Sequence, residues 1–256
     1  MHDHATKAPR VSIVSFPKSG RTWLRVLIGK ALCEHAGLDD QQIFDKDMLA
    51  EATSLPKINY THEDSGNSAR KHYQELETDK SKYKQRKVIM LMRDPRDVVV
   101  SYYLHVSSRS GLFHGSMSEF IRSEVYGIRK IVAFYNIWHA NLHVPQALLP
   151  LRYEELHADP TGKLRSVLDF VGADYIDDGI VQRAVEFASF SNMKKMEEMR
   201  HFLNKKLQHG DSEDDDSFKV RRGVVGGYRE DLSPEDCQYI NDVIQEMGCA
   251  FFPTRQ

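Results

Sequence analysis

A short apolar strand followed by a polar turn and a helix is the pattern that most restricts how this chain of 256 residues folds. The run Val11 to Phe16 is rich in β-branched residues and ends at a proline, as a buried strand does when it enters a turn. Apolar residues then recur at helical spacing from Trp23 to His35. The same order returns after Val88 to Met92, where Asp94 can cap a helix whose first residue is a proline.

Three later segments continue the alternation of strands and helices. Ser118 to His143 is predicted to be one long helix, Ala147 to Tyr153 a strand, and Gly162 to Val171 a further helix. Such an alternation predicts an α/β fold, with one domain over residues 11–256 and a flexible N-terminus over residues 1–10. We expect a central, mainly parallel sheet flanked by helices, with ligands at the carboxyl ends of its strands.

Composition excludes several classes of protein. The chain is 41% hydrophobic and 28% charged, which supports a sizeable core and excludes collagen-like, disordered and coiled-coil proteins. The formal net charge of -2 gives no global positive field for nucleic acid or an anionic membrane, so we expect neither partner. Three cysteines without a CxxC pair favour free thiols over a disulfide scaffold or a zinc site. No signal peptide or membrane span is recognisable, so a soluble cytoplasmic protein is expected.

One segment, residues 204–218, differs from the rest in charge. Asp211 to Asp216 contains five carboxylates in six residues, and such a block repels itself and resists packing. We expect a mobile acidic loop inside the single domain. It would be either a solvated connector without a role or a lid that orders over a substrate.

The turn from Lys18 to Thr22 suits an anion. Backbone N–H groups and the positive end of the helix dipole would point at the anion, Gly20 would permit close approach, and Lys18 would add a full charge. This strand, turn and helix are P-loop-like, but the lysine precedes the only glycine, so the nucleotide-triphosphatase pattern is not met. Taken alone, the string is also compatible with a generic polar turn.

The turn does not stand alone, because Phe16 to Trp23 closely resembles the phosphosulfate-binding loop of the sulfotransferases that use 3′-phosphoadenosine-5′-phosphosulfate (PAPS). A second signature of that family, an arginine and a serine eight residues apart at the start of a helix, is matched by Arg93 and Ser101. Its third, Arg-Lys-Gly-x-x-Gly, is approximated by Arg221 to Gly226. The order and spacing of the motifs also fit the family.

The resemblance implies that PAPS is the co-substrate and that 3′,5′-bisphosphoadenosine (PAP) is the product. The residues expected around the phosphosulfate are Lys18, Ser19, Gly20, Arg21 and Thr22. Those expected around the 3′-phosphate are Arg93, Ser101, Arg221, Arg222 and Gly223. Those expected at the adenine are Trp23, Tyr153 and Phe190. Two anionic groups require two basic clusters, and arginine gives planar bidentate contacts to a phosphate.

Sulfuryl transfer is an in-line displacement that resembles phosphoryl transfer, so the catalyst positions the reactants and neutralises charge. The acceptor hydroxyl must also lose its proton to a base. Among twelve histidines, His62 is expected to be that base, because Pro56 to His62 resembles the family segment that carries the catalytic histidine. Lys18 is expected to be the second catalytic residue, and no metal is expected. The predicted acceptor is a hydroxyl or amine of a small molecule. A cationic alcohol or alkaloid is the acceptor that the acidic loop favours.

Three departures from the family pattern are visible. Tyr60 stands where many members have a lysine before Thr-His, so one positive charge is missing or supplied elsewhere. Arg21 replaces a usual threonine and either adds charge on the cofactor side or points to solvent. The C-terminal dimer signature is absent, which predicts a monomer or a dimer formed by another route.

Two other functions stay open at this level. A P-loop-like nucleotide kinase would share the strand, turn and helix, but it would need carboxylates that hold Mg²⁺. A non-catalytic nucleotide-binding module would be favoured if His62 proved remote from Lys18.

Overall fold

The computed structural model describes residues 10–199, 201–202 and 223–253. The strands in these residues are β1 (Arg10–Ser15), β2 (Ile58–Thr61), β3 (Arg86–Met92) and β4 (Ala147–Arg152). They form one parallel sheet in the order β2-β1-β3-β4. Helices flank the sheet, and the predicted single α/β domain is confirmed.

The helices follow the strands in sequence. The first half of the described chain contains α1 (Arg21–His35), α2 (Lys46–Thr53), α3 (Pro95–Leu104), α4 (Met117–Arg122) and α5 (Ile128–Ala140). The second half contains α6 (Tyr153–Ala158), α7 (Pro160–Val171), α8 (Asp178–Phe187), α9 (Phe190–Glu198), α10 (Tyr228–Asp231) and α11 (Pro234–Met247). None of the helices described here is long and apolar enough to cross a bilayer.

Each face of the sheet is covered by its own core. Successive side chains of a strand point to opposite faces, so Val11 and Ile13 pack with α1, α7 and α8, whereas Val14 packs with α3, α5 and α11. In β3, Ile89 joins the first core and Met90 the second. Burial on both faces explains why these strands are continuous apolar runs rather than alternating ones.

The register of the sheet brings the carboxyl ends of all four strands to one edge. Val14 of β1 pairs with Thr61 of β2, and Met92 of β3 pairs with Arg152 of β4. The residues that follow each strand, among them the Lys18 turn, therefore meet at this edge.

The prediction of one long helix from Ser118 to His143 is wrong. The chain forms two helices there, because Ser123 is extended and ends α4. Its hydroxyl accepts hydrogen bonds from the backbone N–H groups of Val125 and Tyr126. Gly127 then lies so close to the carbonyls of the preceding turn that a side chain would not fit. The apolar periodicity continues across the break because α4 and α5 bury residues in the same core.

Strand β2 was not predicted, and several boundaries differ. Arg10 belongs to β1 rather than to a flexible N-terminus, Tyr153 begins α6 rather than ending β4, and α7 begins at Pro160. The acidic loop with Asp211 to Asp216 lies outside the described residues, and so does most of the predicted N-terminal segment.

Candidate active site

A cleft of about 860 Å³ lies at the carboxyl edge of the sheet. The predicted site residues that line it are Lys18, Gly20, Arg21, Thr22, Trp23, His62, Arg93, Ser101, Tyr153, Phe190 and Gly223. Ser19 is completely buried and does not line the cleft. Arg221 and Arg222 lie outside the described residues. The structure thus brings together residues from both ends of the chain.

The turn after β1 has the geometry of an anion site. Lys18 and Gly20 both adopt left-handed backbone conformations, with φ of 67° and 94°. Such a conformation is uncommon for lysine and is retained where the surroundings fix it, often at a functional site. Within the described residues no side chain caps the N-terminus of α1, so its first N–H groups are available to an anion.

Gly20 is required by its backbone angle and also by its neighbour. A Cβ at this position would lie 2.5 Å from Cδ2 of Tyr153, so only glycine lets the turn pack against that ring. The guanidinium of Arg93 covers the same ring at 4.4 Å from its centroid. Tyr153 therefore fixes the distance between the turn after β1 and the residues after β3.

Arg93 links the turn to the C-terminal segment. Its Nη1 donates to the Lys18 carbonyl at 3.4 Å and its Nη2 to the Val224 carbonyl at 3.1 Å. Asp97, which is buried, lies 3.6 Å from Nη2 and accepts from the backbone N–H groups of Gly226 and Tyr228. One carboxylate thus holds the segment from Gly223 onward against α3, beside Ser101.

An aromatic pocket lies next to this cluster. The indole N–H of Trp23 donates to the Ala188 carbonyl at 2.8 Å, and its ring meets Tyr153 edge-on at 5.7 Å. Phe190 at the start of α9 is 40% exposed. Gly223 packs against the Phe190 ring so closely that a Cβ would collide with it. The three residues predicted at the adenine therefore all line this cleft.

His62 follows β2 directly and is fixed by the neighbouring strand. Its Nδ1 lies 2.8 Å from the carbonyl oxygen of Ser15, the last residue of β1. Because a carbonyl can only accept, Nδ1 carries the proton and the neutral ring keeps a lone pair on Nε2. The backbone carbonyl of His62 in turn accepts from Ser65, through both its N–H and its hydroxyl.

The surroundings of His62 keep its ring neutral. Burial is the largest cause and lowers the pKa of His62 to about 3, and the positive charge of Arg21 acts in the same direction. Burial also lowers the pKa of Arg21 to about 10, and repulsion from Arg25 adds to that effect. Arg21 lines the cleft and acts on His62, rather than pointing to solvent.

The residue after His62 anchors the segment in the protein interior. Glu63 and Lys80 form an ion pair at 2.9 Å in which each side chain is only 2% exposed. The same carboxylate accepts from Trp138 Nε1 at 2.9 Å and from the Tyr83 hydroxyl at 3.1 Å. A buried charge with this many partners has one well-defined position, so it also fixes the position of His62.

Sequence reasoning missed part of the lining. Arg25, Phe44 and Lys46 extend the cleft toward β2, and Tyr60 lies on this side of the cleft. The signal for Arg25 was its place one turn after Arg21, on the same face of α1. Lys57, by contrast, is exposed and pairs with Asp47 outside the lining.

Three aromatic residues pack in or against the two cores rather than lining the cleft. Tyr126 and Phe202 are buried in the two cores, and neither lines the cleft. Phe113 packs against the second core with Tyr126. Among the described residues, no group of three or more His, Cys, Asp or Glu side chains is placed to hold a metal ion.

Comparison with known proteins gives the same assignment as the motifs. The sequence matches the family described as the sulfotransferase domain over residues 8–249. It is 24% identical to flavonol 3-sulfotransferase of Flaveria bidentis, over 92% of this chain and 80% of that protein. It is 25% identical to cytosolic sulfotransferase 1 of Arabidopsis thaliana, over 92% of this chain and 77% of that protein.

Solved structures show the same fold. Mouse sulfotransferase SULT7A1 complexed with PAP superimposes with a TM-score of 0.64 at 22% identity, covering 94% of this chain and 85% of that one. Retinol dehydratase in complex with androsterone and PAP gives a TM-score of 0.64 at 19% identity, covering 93% and 80% of the two chains. With a family match over nearly its whole length and this fold, the chain belongs to the family of PAPS-dependent sulfotransferases.

Proposed function

We propose that this cleft binds PAPS and transfers its sulfuryl group in line to a hydroxyl or amine of a small molecule, with His62 as the base. The observation that carries the proposal is that His62 and the Lys18 turn meet in one cleft. His62 Nδ1 contacts the carbonyl of Ser15, which lies three residues before Lys18. A nucleotide-binding module without catalysis would have no reason to place a fixed, neutral histidine there.

The residues of the chain fit the co-substrate. The left-handed turn and the uncapped first turn of α1 suit the phosphosulfate, with Lys18 and Arg21 as counter-charges. The buried Nε of Arg93 has no hydrogen-bond partner among the described residues, which supports a phosphate partner for this guanidinium. Arg93, Ser101 and the Gly223 amide are proposed to hold the 3′-phosphate, together with Arg221 and Arg222. Trp23, Phe190 and Tyr153 are proposed to enclose the adenine.

The chemistry follows from these positions. PAPS supplies the sulfuryl group when it is bound. His62 Nε2 accepts the proton of the acceptor hydroxyl, and the Ser15 carbonyl then stabilises the imidazolium through Nδ1–H. Lys18 and the N–H groups of the turn stabilise the negative charge that develops on the leaving phosphate. Arg21 contributes a positive charge on the side where Tyr60 replaces the lysine of other members.

The affinity for the nucleotide is expected to depend on Asp97. Changing Asp97→Ala removes the acceptor for the Gly226 and Tyr228 amides and releases the segment that begins at Gly223. We expect the Kd for PAP, measured by titration calorimetry, to rise about tenfold or more, since hydrogen bonds to a charged group are strong. Asp174→Ala, at an exposed position outside the cleft lining, is the matched control. An unchanged Kd in Asp97→Ala would show that this segment does not take part in binding.

The proposed reaction is tested with labelled PAPS and a panel of phenols, steroids, sugars and amines. We expect label transfer to at least one acceptor, and we expect that rate to be unchanged by a chelator, since the proposed neutralisation uses Lys18, Arg21 and backbone amides. ATP with Mg²⁺ is the parallel reaction for a nucleotide kinase. Transfer from ATP, or loss of sulfuryl transfer on chelation, would contradict the proposal.

Three further expectations stay predictions. A cationic acceptor rests on the carboxylates from Asp211 to Asp216, which lie outside the described residues. A monomer, or a dimer formed without the usual C-terminal motif, is testable by light scattering. A cytoplasmic location is supported by the names of the relatives, several of which are called cytosolic.

A further inference from the structure

The part of the cleft nearest β2 carries a second group of positive charges. Arg25 lies one turn after Arg21 on α1, and Lys46 begins α2 on the same side. The guanidinium of Arg25 lies 4.5 Å from the ring centroid of Tyr60 and 5.3 Å from that of Phe44. Its Nη2 donates to the Phe44 carbonyl at 2.6 Å. Arg25 is therefore held rigidly, while the Phe44 carbonyl is the one described partner of its five N–H donors.

The described residues offer these charges no carboxylate. Neither Arg21, Arg25 nor Lys46 makes an ion pair with a described acidic side chain within 4.0 Å. Of the described residues that line the cleft, only Asp97 and Asp231 are acidic, and both belong to the α3 and α10 side. Asp97 is engaged by Arg93 and by the Gly226 and Tyr228 amides.

Two like charges on successive turns of a helix repel each other and destabilise it slightly. Arg21 and Arg25 are such a pair, and both are partly removed from water at the wall of the cleft. A purely structural arginine would gain a carboxylate partner or extend into solvent. An anion bound in the cleft would offset both the repulsion and the loss of hydration.

The nucleotide does not account for Arg25. Its two anionic groups are proposed to lie at the Lys18 turn after β1 and at Arg93 after β3. Arg25 and Tyr60 lie toward β2, the edge strand on the opposite side of β1. Tyr60 is two residues before His62, so this part of the cleft lies on the side from which the acceptor would approach the base.

We propose that the acceptor carries a carboxylate besides its reacting hydroxyl, and that Arg25 binds this carboxylate, with Lys46 at the mouth of the cleft. The proposal rests on the proposed function, because it names the acceptor class of the same site. The planar fork of an arginine matches a carboxylate bidentately, and the fixed orientation of Arg25 lowers the entropic cost of that contact. The rings of Phe44 and Tyr60 suit an aromatic or otherwise planar acceptor body.

The test uses 4-hydroxyphenyl acids whose carboxylate is separated from the ring by zero to three methylene groups. Each acid is compared with its methyl ester and with the amine of the same length. For at least one length, we expect kcat/KM of the acid to exceed that of the ester about tenfold or more, as a charged hydrogen-bonded pair implies. The amine should be poorer than the ester. A preference for the amine would instead support the cationic acceptor predicted from the acidic loop.

Two variants locate the effect. Arg25→Met should remove the advantage of the acid while it leaves the ester within about threefold, and Arg25→Lys should keep part of it. Lys57→Gln is the matched control, because it removes a cation near β2 whose side chain does not line the cleft. If the acid keeps its advantage in a folded Arg25→Met protein, the proposal is overturned. Transfer to esters alone would overturn it as well, and would leave the sulfotransferase assignment intact.

Binding supplies a readout without turnover. The O-methyl ethers of the same acids have no hydroxyl to react, so their Kd for the protein–PAP complex is measured by calorimetry. We expect the acid ether to bind about tenfold more tightly than its ester and to lose that difference in Arg25→Met. Equal affinities for the acid and the ester at every chain length would overturn the proposal whatever the turnover assay gives.

Discussion

Replacing His62 by alanine is expected to lower kcat at least about 100-fold, within the range of about 10²–10⁴ that a general base contributes. The affinity for PAP should change little, because the proposed nucleotide contacts come from the Lys18 turn and from the residues after β3 and β4. His62→Asn should lose as much activity, although its amide can still donate to the Ser15 carbonyl. Single-turnover rates and PAP titrations measure the two quantities separately.

The control for this substitution is His139→Asn, an exposed histidine outside the cleft lining, which should keep parental turnover. A fall of similar size in kcat and in PAP affinity for His62→Ala would place His62 in binding rather than in proton transfer. A nearly unchanged kcat would remove it from the mechanism.

The depressed pKa of His62 also sets the pH dependence. The free protein keeps the ring neutral down to about pH 3, so kcat/KM for PAPS should show no acid limb from this group near pH 6.5. Bound anions raise the pKa of a nearby histidine, so the acid limb of kcat should lie at a higher pH than that of kcat/KM for PAPS. The unfolded chain binds this proton near pH 6.5 and the folded chain does not. The group therefore lowers the free energy of unfolding as pH falls from about 6.5 toward 3.

Replacing Lys18 by alanine is expected to lower kcat by about 10²–10³, as for the loss of one stabilising donor at a developing charge. Lys18 lines the cleft in the turn before α1, where the proposed phosphosulfate binds. Lysine and alanine have the same Cβ, so the left-handed backbone conformation at this position is no more strained in the variant. The melting temperature should therefore stay within a few degrees of the parental value.

Lys84→Ala serves as the control, because it removes an exposed cation that does not line the cleft. Lys18→Arg keeps the charge on a longer side chain and should recover part of the activity. Near-parental turnover in a Lys18→Ala protein with an unchanged melting curve would refute the role given to this residue.

The proposed nucleotide side of the cleft was predictable because its residues lie in short contiguous motifs. The turn from Lys18 to Trp23 carries its own backbone geometry, and a strand before it and a helix after it are visible as apolar patterns. Arg93 lies just before α3 and Ser101 lies within it, eight residues later, so their spacing of about two helical turns indicates a common face. These relations are local in sequence, and local patterns can be seen without the fold.

The proposed acceptor side was less predictable because it is assembled from distant segments. Strand β2 has only four residues, Ile58 to Thr61, so its alternation of apolar and polar side chains is too short to be a clear signal. The buried pair of Glu63 and Lys80 joins residues seventeen positions apart with no periodic relation between them. Likewise, nothing near Ser123 in the sequence interrupts the helical period, because both helices bury residues in one core.

The two parts of the proposed site follow strands that hold different positions in the sheet. Two of the three strands that the proposed nucleotide contacts follow, β1 and β3, are central in the sheet, whereas the segment before His62 is an edge strand that pairs, among the described residues, with β1 alone. Sequence changes along β2 and α2 therefore disturb few partners in the sheet, while changes near the Lys18 turn disturb many. Such an arrangement lets acceptor preference diverge during evolution while the donor of the sulfuryl group stays the same.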